Sequence, residues 1–119
     1  MKAEPEYVRL FTAYNSTLIY TDYTYTAATR AAIISPAPST VLAGPTVPFS
    51  WTAAKGATGY YLWVGTTPGT SNLYTSGKVT TLTVTPASLP TDGETLYVRL
   101  FTAYNSTLVY TDYTYTAAP

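Results

Sequence analysis

The chain contains no cysteine and no histidine in its 119 residues. The first absence excludes disulfides and thiol nucleophiles; the second removes imidazole bases. Together they remove the usual zinc sites. Charge is also scarce: charged residues make up 10% of the chain, and six basic residues balance six acidic ones. Such a chain has no electrostatic footprint for nucleic acid or for an anionic membrane surface. Low net charge favours association over colloidal dispersal. No apolar run approaches the ~20 residues of a membrane span, so no membrane insertion is expected. The opening Met1-Lys2-Ala3-Glu4-Pro5-Glu6 lacks the apolar stretch of a signal peptide. The expectation is a chain whose export signal has been removed, or one that is part of something longer. Helical patterning is nearly absent as well, since no window sustains an i, i+3, i+4 apolar pattern with caps.

What is present is apolar and β-forming. Hydrophobic residues make up 46% of the chain, 13 residues are tyrosine, and threonine is heavily used. Both Tyr and Thr suit pleated, half-buried surfaces. Short β-branched and aromatic runs are punctuated by Gly, Pro, Asn and Asp, which predicts an all-β fold.

The most informative pattern is a repeat. Residues 7–28, YVRLFTAYNSTLIYTDYTYTAA, recur at 97–118 with a single change, Ile19 against Val109. Each copy reads as a β-hairpin, with a first strand over Tyr7–Thr12, a turn at Ala13-Tyr14-Asn15-Ser16 and a return strand over Thr17–Thr26. Val8 and Leu10 fall on one face, and Tyr7, Arg9 and Phe11 on the other. An isolated hairpin is at best marginally stable in water. The residues matching Thr95 and Leu96 in the first copy are Pro5 and Glu6, so that copy is only the last two strands of a larger unit.

Between the copies, residues 27–40 read as a linker and first edge strand, with Pro36 and Pro38 opposing central pairing. Further strands are predicted over Thr46–Thr52, Tyr60–Gly65, Asn72–Ser76 and Thr80–Thr85, the last with Leu82 and Val84 inward. The repeated hairpin, Leu96–Thr102 and Thr107–Thr116, completes about seven strands from Ile33 at the spacing of a sandwich. The closing strand reads as an edge.

From about Ile33 to Ala118 the chain resembles the bacterial immunoglobulin-like or fibronectin type III-like modules of tandem-repeat surface proteins. The likeness is carried by Phe49-x-Trp51, by Gly59-Tyr60-x-Leu62-x-Val64, and by Leu89-Pro90-x-Asp92-Gly93-x-Thr95-Leu96-x-Val98-x-Leu100. The closing Asp112-Tyr113-Thr114-Tyr115-Thr116 adds to it. The resemblance implies an antiparallel β-sandwich over residues 29–119, preceded by an extra N-terminal β-hairpin over 1–28. It implies Trp51 as the core tryptophan, Leu96 at the corner position often held by tyrosine, and an extracellular or cell-surface setting.

The expected function is that of a structural, self-associating subunit of an extracellular filament or surface assembly, its partner being itself. The hairpin residues Val8, Leu10, Phe11, Leu18, Tyr20, Tyr23 and Tyr25 carry the contact by β-hairpin or strand donation between subunits. The alternative is a tandem-array adhesion or carbohydrate-binding module. Its candidate patch is Tyr61, Trp63, Tyr97 and Phe101, expected to face outward together, with a protein or a glycan as ligand. Asn15 and Asn105 head formal glycosylation sequons, though an Asn-Ser turn explains both. The acids Asp92 and Glu94 could meet calcium on a loop, but too few acids gather for a metal site. No catalytic constellation is present, and no cofactor or enzymatic activity is expected.

Overall fold

A computed structural model describes the backbone of residues 5–26 and 30–119, and the side chains of 8–22 and 30–119. The described residues contain only strands, all in antiparallel sheets, and no helix. The molecule is elongated, with extents of 68 × 26 × 22 Å.

The first sheet is the N-terminal hairpin, β1 (Pro5–Tyr14) paired with β2 (Thr17–Thr26). The turn is Asn15-Ser16, with Asn15 at φ 52°. Asn tolerates that left-handed conformation better than most residues. The turn sets the register: Leu10 lies opposite Thr21 and Arg9 opposite Asp22.

The body has two sheets. One contains β3 (Ile33–Ser35), β4 (Phe49–Trp51) and β7 (Thr83–Val84), in the order β3-β4-β7. The other contains β5 (Gly59–Gly65), β6 (Tyr74–Thr75), β8 (Thr95–Tyr104) and β9 (Thr107–Thr116), in the order β6-β5-β8-β9. Both sheets feed one core. Ile33, Phe49 and Trp51 from the first meet Tyr60, Leu62, Val64, Leu96, Val98, Leu100 and Tyr115 from the second. Alternation on β5 and β8 places Leu62, Val64, Leu96, Val98 and Leu100 inward, each 1% exposed or less. Full burial of a side chain of this size contributes roughly 1.5–3 kcal/mol. Trp51 is buried against the Tyr60 ring, and the Phe49 ring meets that of Tyr115 edge-on at 5.3 Å.

β8 and β9 are the second copy of the repeat, and they reproduce the hairpin's register residue for residue. Leu100 lies opposite Thr111 and Arg99 opposite Asp112, around an Asn105 at φ 53°. β9 ends its sheet, but its outer edge is partly covered. Ser39 N donates to Thr114 O (2.9 Å), Thr116 N to Thr40 O (3.0 Å) and Leu42 N to Thr116 O (2.8 Å). This covering segment runs parallel to β9.

Three predicted strands are shorter than expected, and each has a local reason. Pro48 has no N–H for the ladder, so regular pairing in the Thr46–Thr52 run starts at Phe49. Asn72 is a loop clamp: its Oδ1 accepts from Thr66 N and its Nδ2 donates to Thr66 Oγ1. The strand predicted from Asn72 therefore begins only at Tyr74. Residues 80–82 bend, which leaves Leu82 40% exposed rather than inward, while Val84 packs on the core as expected.

Candidate functional site

The hairpin lies open to solvent in the isolated chain. Val8, Leu10, Phe11, Leu18 and Tyr20 are 45–63% exposed. None of the side chains described in 8–22 joins the core cluster. The described side chains of the extension therefore make no docking contact with the core of their own chain. Tyr23 and Tyr25 belong to β2 by backbone, and their side chains lie outside the described residues.

The twin shows what these residues do when covered. Val98 and Leu100, the counterparts of Val8 and Leu10, are 1% and 0% exposed. Phe101, the counterpart of Phe11, is buried between Tyr61, Trp63 and Tyr110. The same sequence is therefore core in one place and surface in the other. What differs is the body: β5 lines the edge of β8 from Gly59–Ala103 to Gly65–Tyr97, and Ile33, Phe49 and Trp51 of the other sheet share the core with Val98 and Leu100.

The free copy nevertheless holds the shape of the docked one. Arg9 makes a two-pronged ion pair with Asp22, at 2.6 and 2.9 Å; Arg99 does the same with Asp112, at 2.7 and 2.9 Å. The guanidinium of Arg9 stacks 4.1 Å from the Tyr20 ring, and that of Arg99 lies 3.8 Å from Tyr110. The hydrogen bond from Arg9 holds the Asp22 carboxyl below its ordinary range and raises Arg9 in turn. Both groups are solvated, so this is a shaping contact and a weak source of stability. Sequence reasoning missed the Arg–Asp–Tyr staple. Its signal was available, because Arg9 and Asp22 are equidistant from the Asn15-Ser16 turn.

The predicted aromatic patch is only partly assembled. Tyr61 and Trp63 meet Phe101 edge-on at 6.1 and 4.7 Å, and Tyr110 meets it at 5.8 Å. Phe101 is consequently 8% exposed, and its ring is no open stacking platform. Tyr97 belongs elsewhere. Arg99 separates it from Phe101 along β8, and Gly69 lies over the Arg99 guanidinium, where an added Cβ would come within 3.2 Å. Tyr97 instead lines a cleft of about 370 Å³ with Pro38, Pro68, Asp112 and Thr114.

The remaining candidates are the loop acids and the two turn asparagines. Asp92 is exposed and Glu94 half-buried on a loop, and the hydrogen bonding between them lowers Asp92 and raises Glu94. Among the described residues no group of three potential metal ligands occurs, and no helix is long and apolar enough to cross a membrane. Asn15 and Asn105 occupy exposed left-handed turn positions, and Asn105 N donates to Thr58 Oγ1 (3.2 Å), so both serve as turn formers.

One buried phenol gives a pH prediction. Tyr115 donates to Pro36 O (2.9 Å) and is 1% exposed, and burial raises it well above the ordinary 10.0. A raised folded-state value leaves its contribution intact below about pH 10 and removes it as pH rises beyond. The urea midpoint of the native chain is expected to fall between pH 8 and pH 11 by more than that of Tyr115→Phe. Equal falls in the two proteins would count against this assignment.

No protein-family model matches the chain, and no curated protein matches its sequence.

Proposed function

We propose that this protein is a structural, self-associating subunit of an extracellular filament or surface assembly. Its N-terminal hairpin is donated to a neighbouring copy as added β-strands. The observation that carries this reading is the contrast between the twins. The hairpin that is solvated in the isolated chain is a pre-shaped duplicate of one that is buried, and pre-shaping reduces the ordering cost of binding. Self-association is the outcome that gives the two-stranded hairpin the further strands it needs.

The body reads as an immunoglobulin-like, fibronectin type III-like sandwich. Support comes from strand order. The first, second and fifth body strands share one sheet, and the third, fourth, sixth and seventh share the other. That differs from the constant-type immunoglobulin order only in which sheet takes the fourth strand. The extracellular setting rests on the sequence resemblance.

Donation between chains is favoured by the reach of the connecting segment, which does not allow the hairpin into its own body's slot. Ala31 N bonds Thr102 Oγ1 (2.9 Å), which places it beside the Thr102–Val109 pair. A hairpin seated in its own body's β8–β9 slot would end at the Thr116 position, about 23 Å along β9 from Val109. The five chain steps from Thr26 to Ala31 reach at most about 17 Å. Replacement of a neighbour's β8–β9 is opposed too. Glu6 holds the register position of Leu96, which is 0% exposed, and burying an unpaired carboxylate there is costly. The hairpin is therefore read as adding to a sheet edge.

The test is mass in solution by light scattering, for the full chain and for a chain lacking residues 1–28. The core draws nothing from residues 8–22, so the shortened body should fold. The full chain is expected above the monomer mass of 12.8 kDa, and the shortened one as a monomer. Equal association states would sink the reading.

A further inference from the structure

We infer that the acceptor of the hairpin is the hairpin of a second copy, joined edge to edge through β1 of each chain into a four-stranded antiparallel sheet. This rests on the self-association proposed above and names its contact.

The body offers little edge to receive a strand. β3, β6 and β7 are two or three residues long. The edge of β9 is taken at Thr114 and Thr116 by residues 39–42, and at Tyr110 O by Arg30 Nη1 (2.9 Å). The hairpin presents ten-residue edges. There is also a count to satisfy. Each chain has two hairpins and one slot, so any exchange of hairpins between slots leaves one uncovered per chain. Contact between the surplus hairpins gives each an edge partner outside the slot.

The β1 edge is the one the twin uses. On β8 the odd-numbered peptides face β5; Ala103 O, for example, accepts from Thr58 N (2.7 Å). The matching β1 register turns the peptides of Arg9, Phe11 and Ala13 away from β2. Two such edges pair antiparallel about a two-fold axis. Parity requires the axis to pass through a residue. Centred on Arg9, it sets two guanidiniums directly opposite, which is unfavourable. Centred on Leu10, it sets Leu10 against Leu10 and Arg9 beside the second copy's Phe11. That repeats across the axis the arginine–aromatic row of Trp63 beside Arg99. The resulting sheet has four strands and a continuous apolar face of Val8, Leu10 and Ile19 from each copy. Four strands with such a face pass the size at which sheets become independently stable. The outer edges of β2 stay open, a route by which dimers could extend into a filament.

The absence of native cysteine makes the register directly testable. In this arrangement the two Leu10 residues form a non-hydrogen-bonded pair with Cα atoms about 4.5 Å apart, within disulfide range. Full-length Leu10→Cys is expected to oxidise to a crosslinked dimer of doubled mass, and Thr12→Cys to remain uncrosslinked. A mixture of Val8→Cys and Thr12→Cys chains is expected to give the mixed dimer. If Thr12→Cys crosslinks and Leu10→Cys does not, the Leu10-centred register is wrong; if neither crosslinks while removal of residues 1–28 still lowers the association state, the β1–β1 contact is wrong and hairpin-driven association stands. If that removal leaves the mass unchanged, both fall.

Discussion

Leu100→Ala is expected to destabilise the body by about 2–5 kcal/mol, the range for emptying a packed leucine site. Leu10→Ala, the same change in the same local sequence, is expected to leave the main unfolding transition within about 0.5 kcal/mol, as surface substitutions do. Leu100 is 0% exposed and belongs to the cluster joining both sheets, whereas Leu10 is 59% exposed. The flanking residues are identical for three positions on either side, so intrinsic propensity and the unfolded chain cancel in the comparison. What remains is the tertiary environment alone. Chemical denaturation of both variants, with circular dichroism as the readout, measures the difference. The assignment of the C-terminal copy to the slot fails if Leu10→Ala is the more damaging change. Leu10→Ala should instead lower the association state at a given concentration.

Gly65→Ala is expected to cost about 1–3 kcal/mol by overpacking. Gly65 ends β5 and is buried beneath the Thr66–Asn72 loop. A methyl group there would collide with Thr70 Oγ1 and lie 2.8 Å from the Thr70 carbonyl carbon. The loop cannot yield freely. Its two ends are tied by the Thr66–Asn72 bonds (both 3.0 Å), and Thr70 Oγ1 reaches Thr67 O at 2.8 Å. Displacing it would also lift Gly69 from Arg99. The expected result is a lower urea midpoint with an unchanged m-value, and greater solvent access at Arg99. A midpoint equal to that of the native protein would show that the loop is softer than its bonds imply.

Much of this architecture is readable in the chain because it obeys simple periods. Alternation along Tyr60–Gly65 and through both copies of the repeat correctly places Leu62, Val64, Val98 and Leu100 on one face. The turn at Asn15-Ser16 sets the hairpin register. Leu82 shows the limit, since its alternation belonged to a segment that bends before the strand begins. The parallel cover of β9 by residues 39–42 was not legible. It depends on backbone groups of a Pro-interrupted stretch, and backbone bonds leave no side-chain pattern. The Glu6–Leu96 mismatch was visible in the letters, but its meaning needed the knowledge that Leu96 is fully buried. The aromatic patch fell between these cases. Its three members on paired rows were found together, while Tyr97, four residues from Phe101 along β8, was separated by a guanidinium whose position depends on a loop glycine.

The parallel seam between residues 39–42 and β9 also decides how the body would carry load. A pull transmitted through the hairpin enters at Arg30 and Ala31, near the turn end of β9, and leaves past Ala118 at its other end. Tension between those points slides the two parallel segments along one another. The bonds at Thr114 and Thr116 are then strained together in shear, rather than peeled open one after another. Resistance to forced unfolding depends on the rate of opening under load. A three-bond seam placed across the line of tension adds to that resistance, beyond the ties of residues 31–36 to the body.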